Sequence, residues 1–234
     1  MPPVGPELFG DGRRNGLEGA RPHAGRHRED DQEGHRGAIV GGHRPVVRAE
    51  CWHLVEETGA TALPVSEVAR GAEVVVVTIP LKNVPDLPAG VFDGAAEGFA
   101  LIETGNYYPQ QRDGRIAAIE DEGLTESRWT ERQLGRPVVK AFNGTYAQHI
   151  LDKPRPAGAP DRVALPIAGD DEGAKKAVGS LLDELGFDVV DAGGLDESWR
   201  QQPGTPVYGL AAGSAEVTAA LAAASPERPA EFRG

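Results

Sequence analysis

The chain has 234 residues, of which 39% are hydrophobic, and it carries a formal net charge of −12. Nucleic-acid affinity depends on clustered lysine and arginine, so this acidic balance disfavours a nucleic-acid binder and favours small-molecule partners. The sequence has neither a run of about 18 apolar residues nor the apolar centre of a signal peptide, so we expect a cytoplasmic protein without a membrane partner. A single cysteine, Cys51, excludes an internal disulfide and a cysteine-based zinc site.

Residues 1–52 differ in composition from the rest of the chain. They are rich in Arg, Gly, Pro and His, and their scattered aliphatic residues follow neither a strand period nor a helix period. This pattern predicts a solvated, disordered segment. His23 and His27 have the spacing of metal ligands on a helix, but Pro22 and Gly25 disfavour a helix and no carboxylate supports the pair. We therefore predict no metal site.

From Leu54 onward, short helices alternate with apolar strand-like runs. The β-branched run 73–79 predicts a central strand buried on both faces, because continuous apolar strands are typical of parallel sheets covered by helices. Residues 74–78, 100–102 and 138–140 are predicted to be neighbouring parallel strands. Residues 125–134 predict a helix that ends at Gly135.

The second half of the chain repeats this alternation. A strand over 162–168 precedes the clearest amphipathic helix, which Asp170 or Asp171 caps and Gly186 ends. A further strand and an alanine-rich helix over 211–224 follow. The pattern predicts an α/β fold with a Rossmann-like parallel sheet and helices on both faces. The predicted division is 1–52 as an atypical segment, 53–210 as the Rossmann-like domain and 211–234 as a helix and tail.

Turn-forming residues follow three of the predicted strands, at the point where each strand ends. Pro80 lies in the turn after the first strand, and Asn106 and Asn143 follow the next two. Ligands bind outside the carboxyl ends of parallel strands, so these residues are candidates for one binding site. Asparagine and proline are also common in ordinary turns, and both interpretations stay open at each position.

Several motifs occur in an order that resembles one enzyme family. They are VVVVTIPLKNVP (74–85), IETGNYYPQ (102–110), RPVVKAFN (136–143), RVALPIAGDDEGAKK (162–176) and QQPGTPVYG (201–209). Over about Leu54 to Gly209 the chain resembles the NADPH-dependent F420 reductases, the bacterial branch of the NADP oxidoreductases that use the deazaflavin coenzyme F420. This resemblance implies a Rossmann-type domain, the cofactors NADP and F420, and a homodimer.

The resemblance also implies roles for individual residues. The turn Ile79, Pro80 and Leu81 is similar to the loop beneath the cofactor, and Asn106 and Asn143 match two strand-end asparagines near the nicotinamide and the deazaflavin. Hydride transfer between two cofactors needs no nucleophile or acid–base dyad, because the cofactors carry the chemistry and the protein aligns them. No catalytic side chain is therefore assigned.

The sequence departs from the family before Leu54. The family begins with a strand and a G-x-G-x-x-G loop that holds the pyrophosphate, and this first βαβ unit is missing or scrambled here. We interpret residues 1–52 as that unit read in a shifted coding frame, with an unrelated disordered extension as the alternative. Two functions follow: an F420-linked NADP oxidoreductase, or a non-catalytic remnant or binding module that has lost dinucleotide binding.

Overall fold

The computed structural model describes residues 55–234 and, within the preceding segment, the backbone of Ala38–Ile39. Those two residues form a strand, β1, that pairs in parallel with β2, Thr61–Ala62. The predicted disorder, the shifted reading frame and the histidine pair all concern residues 1–52, and apart from this two-residue strand they lie outside the described residues.

The described elements alternate strands and helices, as the sequence predicts. The remaining strands are β3 (Val74–Val77), β4 (Ala100–Glu103), β5 (Val139–Lys140), β6 (Ala164–Ile167) and β7 (Asp188–Asp191). The helices are α1 (described over residues 55–58), α2 (Ala117–Glu120), α3 (Glu126–Leu134), α4 (Ala147–Asp152), α5 (Glu172–Glu184) and α6 (Ser214–Ala222). Shorter 3₁₀ segments are Leu81–Asp86, Leu195–Gln201 and Ala230–Phe232, and Pro109–Asp113 forms one π turn.

The strands β3, β4 and β5 form a parallel sheet in that order, which confirms the predicted arrangement of neighbouring strands. The strands β6 and β7 form a second parallel pair. Lys140 at the end of β5 and Ala168 just beyond β6 exchange two backbone hydrogen bonds, which places the two groups side by side. The predicted parallel α/β fold is therefore confirmed for the described part of the chain.

The core lies where helix α5 covers the sheet. Its buried residues Val178 and Leu182 belong to the same apolar cluster as Ile102 of β4, Val139 of β5 and Leu165 of β6. The helix begins at the cap Asp171, whose carboxylate accepts a hydrogen bond from the backbone N–H of Ala174 at 2.9 Å. Burial of an apolar helical face against several strands is the main source of stability for such a fold.

The run around Val74–Val77 was predicted to be a central strand, and this prediction is wrong for the described sheet. Strand β3 lies at an edge and pairs with β4 alone among the described strands, whereas all four residues of β4 are buried. Val76 of this strand is 49% exposed. An apolar, β-branched edge strand is a site for pairing with another strand.

The C-terminal residues pack onto the α/β unit. Helix α6 is shorter than the predicted range 211–224 and buries Val217 and Leu221 in a cluster with Ala164 of β6. Beyond it, Arg228 donates a hydrogen bond to Glu126 at 2.8 Å. Within the described residues, no helix is long and apolar enough to cross a lipid bilayer.

The packing of α5 predicts a large difference between two leucine truncations. Leu182→Ala removes a fully buried side chain and should lower the free energy of unfolding by about 2–5 kcal/mol. The matched control Leu151→Ala, on helix α4, truncates a leucine that is 75% exposed and should change it by less than about 0.5 kcal/mol. Urea unfolding followed by circular dichroism measures both, and equal effects would contradict the core described above.

Candidate functional site

Three turns meet at the carboxyl edge of the sheet formed by β3, β4 and β5. The Thr104 hydroxyl, after β4, hydrogen-bonds to the Thr78 hydroxyl, after β3, at 3.0 Å. A Cβ atom at Gly105 would lie 2.5 Å from Cδ1 of Leu81, so the backbone at this position packs closely against the Leu81 side chain. The turn that contains Ile79 and Pro80 therefore packs directly against the turn that leads to Asn106.

The two strand-end asparagines are in direct contact. The Asn106 amide nitrogen donates to the backbone oxygen of Asn143 at 2.9 Å, and the Asn143 amide nitrogen donates to the Asn106 side-chain oxygen at 3.1 Å. The structure thus brings together the two asparagines that the sequence placed at separate strand ends. Their role in binding a cofactor stays a prediction.

Two tyrosine hydroxyls extend this asparagine pair. Asn106 donates to the Tyr208 hydroxyl at 3.3 Å, and the hydroxyls of Tyr208 and Tyr108 lie 2.6 Å apart. Burial, followed by the hydrogen bond with Tyr108, raises the pKa of Tyr208 well above its usual range. The Tyr208 hydroxyl is therefore neutral at physiological pH. Sequence analysis missed Tyr208, because the segment around it carries no strand or helix period and predicted only irregular packing.

The backbone just before Asn143 is strained. Phe142 has a φ of 63°, and among the described residues it is the one non-glycine residue with a positive φ. A bulky residue in this region costs on the order of 1–3 kcal/mol, and such outliers concentrate at functional sites. The strained turn directs the chain from β5 into the Asn143 contact.

A buried group of charges lies under the turns. Lys140 Nζ is 3.2 Å from Glu103 Oε2 and 3.8 Å from Glu126 Oε2, and it donates to the backbone oxygen of Gly105 at 2.9 Å. Arg228 pairs with the other oxygen of Glu126. Two carboxylates thus balance two cations, and Lys140, Glu103 and Glu126 are each at most 2% exposed. Burial of charge at this depth is tolerated only when each group is paired and hydrogen-bonded.

Each of the two asparagines follows a buried charged residue at the same distance in the sequence. Glu103 and Lys140 end their strands, and Asn106 and Asn143 each follow three residues later. The motif ETGN contains Glu103 and Asn106, and the motif KAFN contains Lys140 and Asn143. This repeated spacing is the sequence feature from which the charged residues could have been predicted as part of the site. An apolar run that ends in a charge does not by itself reveal that the charge faces inward.

The chemistry of this edge suits an uncharged, hydrogen-bonding ring. The amides and the Tyr208 phenol are neutral, and carboxylates already engage the two nearby cations, Lys140 and Arg112. Among residues 55–234, no group of His, Cys, Asp and Glu side chains could hold a metal ion.

Solved structures of other proteins are similar to this chain in fold. No protein-family model matches the chain. The hypothetical protein SMa0349 of Sinorhizobium meliloti is 22% identical with a TM-score of 0.61, over 75% of this chain and 82% of that one. A candidate F420-dependent NADP reductase from Arthrobacter sp. FB24 is 24% identical with a TM-score of 0.51, over 69% and 86% of the two chains. At these identities, the likeness shows the shared α/β fold alone.

A curated relative matches a short part of the chain at higher identity. The protein YjhV of Escherichia coli K12 is 45% identical over 53 residues, which is 23% of this chain. The match spans 39% of the length of YjhV. It therefore identifies a shared segment and carries no activity to this chain.

The buried charge group predicts a large cost for removing one partner. Lys140→Met leaves Glu103 without its cation and should lower the free energy of unfolding by about 3–5 kcal/mol. The double variant Lys140→Met/Glu103→Leu removes both charges of the pair and should recover part of this loss. Urea unfolding of the single and double variants measures the coupling. A double variant that loses the sum of the two single effects would contradict the pairing.

The raised pKa of Tyr208 predicts a specific loss of stability in alkali. Burial raises the pKa of Tyr208 in the folded protein above the ordinary value of 10.0. At any pH below about 10 the neutral side chain makes its full contribution to the stability of the fold. This stability is lost as the pH rises above about 10, because the unfolded chain ionises first. Tyr208→Phe should therefore lose less stability than the unmodified protein between about pH 9 and about pH 11. Parallel pH profiles of the two proteins would contradict the burial of this hydroxyl.

Proposed function

We propose that this chain is an NADP-dependent oxidoreductase that transfers hydride between NADP(H) and the deazaflavin coenzyme F420. The observation that carries the proposal is the asparagine pair at the carboxyl edge of the sheet, where Asn106 and Asn143 hydrogen-bond to each other. This edge is where parallel α/β sheets bind nucleotides. The order of sequence motifs supports the choice of NADP and F420.

In this proposal the three turns hold the ring half of the cofactors. Ile79 and Pro80 form an apolar floor, beneath which Leu81 is buried in the core. Asn143, held in place by Asn106, contacts the polar edge of a ring. When bound, the two cofactors supply the hydride donor and the hydride acceptor. The protein aligns the rings and keeps water away from them, and such alignment lowers the barrier without an acid or a base.

The remaining assignments belong to the same proposal. Residues 53–210 are the oxidoreductase domain, residues 211–234 are its C-terminal helix and tail, and the protein acts as a homodimer in the cytoplasm. The phosphates of NADP would need contacts from outside the described edge, because Lys140 and Arg112 are already paired with carboxylates.

One observation favours a second function, a non-catalytic remnant or binding module. Strand β3 lies at the edge of the described sheet, with Val76 49% exposed, although its sequence is that of a central strand. A Rossmann domain that lacks the strand and glycine loop beside this edge would have no cradle for the pyrophosphate. Such a chain keeps the ring half of the site and binds no dinucleotide.

Titration with NADPH separates the two functions. The oxidoreductase should enhance nicotinamide fluorescence with a micromolar dissociation constant, should bind NADH more weakly and should reduce F420, which loses absorbance at its visible band. The remnant should give no fluorescence change with either nucleotide.

Alignment by Asn143 predicts a separate effect on the rate. Asn143→Ala should lower hydride transfer at saturating cofactor about 100-fold, since misplacement by about 1 Å costs that much. Cofactor affinity should fall less, by about tenfold. The matched control Gln148→Ala, on the exposed side of α4, should change neither quantity. An unchanged rate in Asn143→Ala would mean that the turn is only structural.

A further inference from the structure

The orientation of the Asn143 amide is fixed by a backbone carbonyl. Its nitrogen lies 2.6 Å from the backbone oxygen of Gln201, an atom that can only accept a hydrogen bond. The nitrogen must therefore face Gln201, and the side-chain oxygen must face away. The same nitrogen donates its second hydrogen to the Asn106 side-chain oxygen at 3.1 Å.

This orientation fixes the amide of Asn106 in turn. Because its oxygen accepts from Asn143, its nitrogen faces the backbone oxygen of Asn143 at 2.9 Å and the Tyr208 hydroxyl at 3.3 Å. Both hydrogens of the Asn106 amide and its oxygen are then in use. Asn106 has no hydrogen left to donate to a ligand.

One side-chain atom of the pair keeps its capacity to bond. Oδ1 of Asn143 accepts no hydrogen bond from any residue in the described part of the chain, as the partners of both amides show. Buried side-chain atoms without a partner are found on Thr130, Arg162, Ser198 and Gln201, and Asn143 Oδ1 is not among them. This unpaired oxygen is therefore not completely buried, although Asn143 as a whole is only 6% exposed.

We infer that Asn143 Oδ1 selects a ligand that carries an amide N–H, while Asn106 is a positioning residue that fixes the polarity of Asn143. The inference rests on the proposed function and specifies its recognition chemistry. Two rings could supply this donor: the nicotinamide through its carboxamide, and the deazaflavin through its lactam N–H. A ring of the same shape that bears a methyl ketone cannot donate and leaves the acceptor unpaired.

Because the site is largely buried, a ligand that lacks the N–H donor should bind with lower affinity. An acceptor shielded from water and left unpaired weakens binding by more than the loss of an exposed hydrogen bond, and the expected change in affinity is about tenfold. The strained turn at Phe142 and the bond to Gln201 hold the amide in place. The acceptor is therefore preorganised, and the ligand meets it in the required orientation.

Pairs of ligands that differ only in this donor test the inference on the full chain. Calorimetry compares NADP with its 3-acetylpyridine analogue, in which a methyl group replaces the amide nitrogen, and F420 with an analogue methylated at the lactam nitrogen. Ligand-observed NMR compares free nicotinamide with 3-acetylpyridine, neither of which needs a phosphate site. We expect about tenfold weaker binding of the analogue in the pair whose ring contacts Asn143.

Two variants test whether this difference in affinity depends on Asn143 Oδ1. Asn143→Ala should bind the parent ligand and its analogue with equal affinity, whereas Gln148→Ala should discriminate as the unmodified protein does. A role for Asn143 that was only structural would weaken both ligands of a pair alike. Discrimination confined to the nicotinamide pair identifies the carboxamide as the partner, and discrimination confined to the deazaflavin pair identifies the lactam.

The outcomes separate this inference from the proposed function. Equal binding of both members of every pair by the unmodified protein would overturn the inference, and so would discrimination that persists in Asn143→Ala. Failure of NADP and F420 to bind, together with Asn143-dependent discrimination of nicotinamide, would support the inference and overturn the proposed function. Failure of every ligand to bind would overturn both.

Discussion

The contact on which the site depends is the buried pair formed by Lys140 and Glu103. These residues end two neighbouring parallel strands, and their charged atoms lie 3.2 Å apart where neither side chain is more than 2% exposed. An unpaired charge at this depth would cost several kcal/mol, so the two strand ends are held in one relative position. Glu126 brings helix α3 and Arg228 of the tail into the same group.

The rigid charge group holds the turns above it, which form the candidate site, in fixed positions. Lys140 also donates to the backbone oxygen of Gly105, which fixes the turn that carries Asn106. On the other side, the positive φ of Phe142 turns the chain so that Asn143 reaches Asn106 and Gln201. Strain of this kind persists only where the surrounding structure holds it. The result is a preorganised edge that the buried charge group holds in place.

The order of the strands could be predicted from the sequence, but the extent of their burial could not. β-Branched runs and helix caps predicted the parallel neighbours β3, β4 and β5, because these signals are local. Val76 is 49% exposed because the burial of a strand residue depends on what covers that face of the sheet, which local propensity does not report. Strand ends identified Asn106 and Asn143. Tyr208 joins them across 102 positions of sequence from Asn106, and an irregular segment offers no period from which such a contact could be inferred.

The central claim is that the three turns after β3, β4 and β5 form the ring half of an NADP site. Amide hydrogen exchange of the full chain, measured by mass spectrometry with and without saturating NADPH, tests this claim most directly. We predict that NADPH slows exchange in the segments 78–82, 104–108 and 141–145, because a bound ring shields these turns and suppresses their local opening. Unchanged exchange in all three segments, or protection confined to other parts of the chain, would contradict the account.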